Sequence, residues 1–131
     1  MTPPSPTAVP QMFVEYFVKA YAAFVDAVRA AITENVANPA VANTAVFLSW
    51  QTQALPLLEK QNAAINEAFA RYLIGEEQTI VALAADRRHL AKELDGLPLT
   101  FAGPERAQTL GSLKTAAVVT ASRLCTAAGI R

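Results

Sequence analysis

The chain has 131 residues, no formal net charge, 53% apolar residues and only 17% charged ones. That length is enough to bury a core without disulfide or metal staples. With a single cysteine it excludes an internal disulfide, and without any basic tract it offers no footing for a nucleic-acid backbone.

Residues 1–9 hold three prolines among small residues and predict a disordered, proline-rich tail, with residues 10–131 forming one helical domain. The N-terminus has neither a basic n-region nor an apolar h-region and is not expected to act as a signal peptide. The first helix is expected from Pro10 to Asn35. At about 100° per residue, Glu15, Lys19, Asp26 and Arg29 fall within an arc of roughly 80°. Phe13, Phe17 and Phe24 point the other way, with Tyr16 and Tyr21 on the shoulders. So narrow a polar stripe leaves most of this helix requiring cover.

Asn38 and Pro39 suit the cap and first position of a second helix, running from Pro39 to about Leu55. It is apolar on several sides, through Val41, Ala45, Val46, Phe47, Leu48 and Trp50. No charged residue occurs from Asn35 to Leu58, but amides and two prolines punctuate the stretch, so it is not expected to span a membrane. Pro56 lacks flanking turn residues and predicts a kink in a continuous helix. The segment from Leu57 to Leu94 places Leu58, Ile65, Phe69, Tyr72, Ile80, Leu83, Leu90 and Leu94 on one face, with Gly75 its weak point and Asp95-Gly96 its stop. Left unbroken, it would carry Glu76 and Arg87 within the apolar stripe, where they would need partners on another helix or subunit. Either a break at Gly75, which shifts the frame, or outward snorkelling of these two long side chains returns their charges to solvent, and one of the two is the expected arrangement. Leu97 to Gly103 reads as a loop. Pro104-Glu105 opens the last helix, with Leu110, Leu113, Ala117, Ala121, Leu124 and Ala128 on one face and Gly129 at its end. No alternation of period two suggests a sheet. The expected fold is therefore all-α: a bundle of three to four helices with one long, kinked central helix.

Chemistry is sparse. A transition-metal site needs several convergent ligands, and His89 and Cys125 are the only residues of their types. His89 lies in the charged run Asp86-Arg87-Arg88-His89, which reads as a solvated face. Cys125 sits among apolar neighbours and reads as a small core residue. No phosphate loop is present. Neither a cofactor nor an enzymatic activity is expected, and the single cysteine fits a reducing, cytoplasmic setting.

Three readings remain. The first is a non-catalytic scaffold or assembly subunit that self-associates, or binds a helical partner, through helices one and two. Its interface candidates are Tyr16, Tyr21, Val25, Phe47, Trp50, Gln51, Gln53, Glu76 and Arg87, with Gln61 and Asn62 extending the amide cluster around Trp50. The second is an amphipathic coat on a lipid or polymer surface. In composition alone the chain is similar to phasins, the helical coats of storage granules, and to the small helical subunits of bacterial R-bodies. The third is a bundle binding an apolar small molecule between Phe13, Phe17, Phe24, Trp50 and Phe69.

Overall fold

The computed structural model describes residues 9–94 and 97–129, with the side chains of 87–94 outside the description. Every regular element among the described residues is helical. In chain order these are α1 (Gln11–Asn35), α2 (Pro39–Ala42), α3 (Ala45–Ser49), a π turn (Trp50–Ala54), α4 (Leu55–Leu73), α5 (Gln78–Leu94), a short 3₁₀ turn (Thr100–Ala102) and α6 (Pro104–Ala127).

Helices α1, α4, α5 and α6 form a closed ring in which α1 packs on α4 and α6, and α5 on the same two. Their directions follow from the contacts at their ends. Glu34, near the end of α1, pairs with Arg106, near the start of α6. Arg29, late in α1, reaches Glu59, early in α4, at 2.9 Å. At the other end the Tyr72 hydroxyl, late in α4, donates to the Val9 carbonyl just ahead of α1. Helix α1 is therefore antiparallel to both α4 and α6. The short connection between α4 and α5 completes an up-down-up-down bundle.

The interior is built from side chains at helical spacing: Val14, Phe17, Tyr21, Val25, Val28 and Ile32 from α1, and Leu58 and Ile65 from α4. Ile80 and Ala84 of α5 meet Leu110, Ala117, Ala121 and Leu124 of α6 on the other side. The long connection from α1 to α4 closes one end. There Phe47 of α3, Trp50 of the π turn and Phe101 of the 3₁₀ turn meet. The Phe101 ring lies 5.7 Å from Phe47, edge to face at 77°, and 6.0 Å from Trp50. The Trp50 indole N–H donates to the Pro98 carbonyl at 3.0 Å, so the one polar atom of this aromatic cap is satisfied.

Contrary to expectation, Val9 is no part of a loose tail: its side chain is buried in the core and its carbonyl holds Tyr72. The second helix, expected to run unbroken, is interrupted. Thr44 adopts extended backbone and its hydroxyl accepts the Phe47 N–H at 3.2 Å, capping a new helix two residues after α2 ends. At Pro56 the helix continues, as expected, through a π turn in which the Leu55 N–H bonds to the Trp50 carbonyl. The wider turn relieves the clash between a proline ring and the carbonyls one turn back. The long third segment breaks at Gly75, where φ is +97°. Its N–H bonds to the Tyr72 carbonyl, and the Glu76 N–H to the Arg71 carbonyl, closing off α4.

Two measurements check this architecture. A Cβ at Gly75 would meet nothing within 4 Å, so Gly75→Ala carries only the cost of a left-handed conformation. It should lower stability to urea by about 1 kcal/mol, and an unchanged midpoint would contradict the break. Phe101→Ala should destabilise by about 3 kcal/mol. It should also red-shift the emission of Trp50, the sole tryptophan of the chain; unshifted emission would remove Phe101 from the cap.

Candidate interaction surface

Helix α1 shows water two different faces. Lys19, Asp26 and Arg29 make a charged one, with half-buried Glu15 beside them. Between that stripe and the seam with α6 lies an uncharged arc of roughly 80° carrying Met12, Tyr16, Ala20, Ala23, Ala27 and Ala30. Met12 and Tyr16 are each 52% exposed there. The reason is local sequence: alanines at helical spacing cannot shield their neighbours, and no partner helix lies over them.

Across the seam, Phe13 forms one wall of an open groove of about 590 Å³. Its other walls are Val118, Val119, Ser122, Arg123, Thr126 and Ala127 of α6. Val118 and Val119 also border a second hollow farther along α6, with Leu99, Gly111, Lys114 and Thr115. Val119 itself is 39% exposed. At the end of the bundle shared by Val9 and Tyr72, Leu73, the last residue of α4, and Ile74, in the turn that follows, also stand exposed.

Charged side chains of α1 and α4 form ion pairs away from this surface. Arg29 bridges Asp26 and Glu59, both at 2.9 Å, and the hydrogen bond to Glu59 is the main reason its guanidinium holds its proton more tightly than usual. Arg71 pairs with Glu67 at 3.2 Å along one face of α4. Such exposed pairs contribute little each, of the order of 0–1 kcal/mol. Burial of the Tyr72 phenol pushes its pKa up, with the carboxylates of Glu77 and Glu15 adding to the effect.

The sequence-derived interface candidates scatter. Tyr21, Val25, Phe47 and Trp50 are buried by the chain's own helices, Trp50 to 1% exposure, and offer no surface to a partner. The expectation that they need a second subunit is corrected: the four-helix ring covers the shoulders of α1, and the aromatic cap covers Phe47 and Trp50. Tyr16 stays at the surface. Gln53 is exposed and Gln51 half-buried. Gln61 and Asn62 are half-buried, and the Asn62 side-chain oxygen is sealed from water without a hydrogen-bond partner. Glu76 is exposed in the α4–α5 turn, as the break at Gly75 requires. The side chain of Arg87 lies outside the described residues. The small-molecule pocket expected from sequence loses three of its walls, because Phe17, Phe24 and Trp50 belong to the core, while Phe13 and Phe69 are half-buried.

Sequence reasoning misses Thr44, Phe101 and the outer face of α6. Asn43-Thr44 is the readable sign of a helix restart. Phe101 lies in a stretch that reads as loop, and the α6 face consists of small residues that no hydrophobic pattern picks out.

Among the described residues no three histidine, cysteine or acidic side chains gather where they could hold a metal ion. No helix among them is long and apolar enough to cross a membrane. Comparison with protein-family models, with curated proteins and with solved structures returns no match for this chain.

Cys125 is fully buried on α6. A thiol so placed reacts only when the helix opens. An aromatic disulfide reagent should therefore label it roughly a hundredfold or more slowly in buffer than in denaturant, since opening is limited by local stability of a few kcal/mol. Labelling at the denatured rate would show that α6 is not packed as described.

Proposed function

We propose that this chain is a non-catalytic interaction protein that self-associates, serving as a scaffold or assembly subunit. The observation that supports the reading is the outer surface of the α1–α6 pair. It joins an uncharged, alanine-lined arc carrying half-exposed Met12 and Tyr16 to an open apolar groove ending at Val119. Large apolar side chains grouped on a charge-poor surface mark association sites more often than solvated faces. The low charge content of the whole chain points the same way. The surface differs from the one expected from sequence. Helix α1 contributes its Tyr16 side, and α6 replaces the charge-free segment around Phe47 and Trp50.

The test is the mass in solution at tens of micromolar, by light scattering or sedimentation. The wild type should run as a dimer or larger species. The double variant Tyr16→Lys with Val119→Lys should keep its helical circular dichroism, because both positions are exposed, and should shift toward monomer. A strictly monomeric wild type would overturn the reading.

A further inference from the structure

The exposed face of α6 has a property that the groove alone does not reveal. Glu105 and Arg123 stand about five helical turns apart, so they lie on the same line along the helix, separated by about 27 Å. Thr109, Ser112, Ala116 and Val119 fall within roughly 40° of that line. All six are exposed, and the four between the charges are uncharged. No ion pair engages Glu105 or Arg123 among the described residues. The face thus begins with an acid, ends with a base and is small and neutral between them.

Such a pattern is its own complement when reversed. We infer that a second copy of this chain docks on this face with its α6 antiparallel to the first, so that Glu105 of each copy meets Arg123 of the other. The inference rests on the self-association proposed above and names the arrangement. A two-fold axis then passes near Ser112 and Ala116, where small side chains let the helices approach to about 8 Å. The opposed helix dipoles favour the same orientation. Arg123 also forms part of the groove beside Phe13, so the first turn of the second copy's α6, with Pro104 and Glu105, lies over the groove. A parallel arrangement would place acid on acid and base on base.

Two charge reversals test the arrangement. In Glu105→Lys, each copy presents an ammonium to Arg123 of the other. In Arg123→Glu, each copy presents a carboxylate to Glu105 of the other. Each variant alone should therefore bind itself more weakly, by roughly tenfold, from two attractive contacts turned repulsive. Mixing the two variants should restore association. In the mixed pair the introduced ammonium of one chain faces the introduced carboxylate of the other, and the retained Arg123 faces the retained Glu105. The restored species should contain one chain of each. The recovery should weaken in high salt. A role confined to the dipole of each chain's own helix would lower stability in the single variants and give no recovery on mixing, which would overturn the inference. So would single variants that associate like wild type while Tyr16→Lys with Val119→Lys still dissociates the protein; in that case self-association stands and the antiparallel α6 arrangement falls. A monomeric wild type removes both. Circular dichroism of each variant confirms that it is folded, as expected for substitutions at exposed positions.

Discussion

The constraint on which the rest of the structure depends is the width of the apolar arc on α1. Val14, Phe17, Val18, Tyr21, Phe24, Val25, Val28 and Ala31 are all buried. Their positions span roughly 140° of the helix, wider than the seam that one partner helix covers. Helix α1 therefore needs neighbours on two sides. Helices α4 and α6 supply them, and α5 closes the ring opposite. The same demand explains the long connection between α1 and α4. An open bundle would expose the last apolar turns of its helices. The connection folds Phe47 and Trp50 back over that end, and Phe101 arrives from the α5–α6 connection to meet them.

Trp50 shows how closely that cap is coupled to the helix that follows it. Its indole N–H must reach Pro98 while its backbone carbonyl accepts from Leu55. A regular α-helix would pair that carbonyl with Ala54 and leave Pro56 pressing on the turn before it. The π turn meets both demands: it inserts a wider turn ahead of the proline and carries Trp50 into the cap. The proline that reads as a kink in the sequence is therefore tied to the placement of the largest fully buried side chain.

Much of this is legible in the sequence, for identifiable reasons. Helices α1 and α6 have a clear 3.6-residue pattern and proline starts, and the continuity at Pro56 follows from the lack of turn residues around it. The break at Gly75 is harder to read because the apolar spacing carries across it, from Tyr72 to Ile80. Only the backbone bonds of Gly75 and Glu76 decide the matter. The burial of Tyr21, Val25, Phe47 and Trp50 within one chain escapes the sequence for a tertiary reason. Sequence shows that a helix needs cover, but not whether another part of the same chain folds back to supply it. A count of partner helices that calls for a second subunit omits Phe101 and the short helices, which lie in segments too brief to show periodicity.

What remains uncovered after folding is informative because it is not what the hydrophobic pattern marks. The large side chains Phe47 and Trp50 of the charge-free stretch disappear into the core, while the residual surface on α1 and α6 is built from alanine, serine, threonine and single large side chains. Residues of this kind contribute modestly to burial per side chain, and they lose little side-chain entropy when covered. They also let backbones come close, so that contact is made along the helix rather than at one large anchor. A face of this composition has little intrinsic preference for direction or register. Charges at its two ends can supply that preference, because only one alignment of two identical copies brings every acid to a base. Under the proposed arrangement, contact area comes from the small neutral residues of α6 and orientation from Glu105 and Arg123. The charged stripe of α1, with Arg29 paired to Asp26 and Glu59, stays on the solvated side.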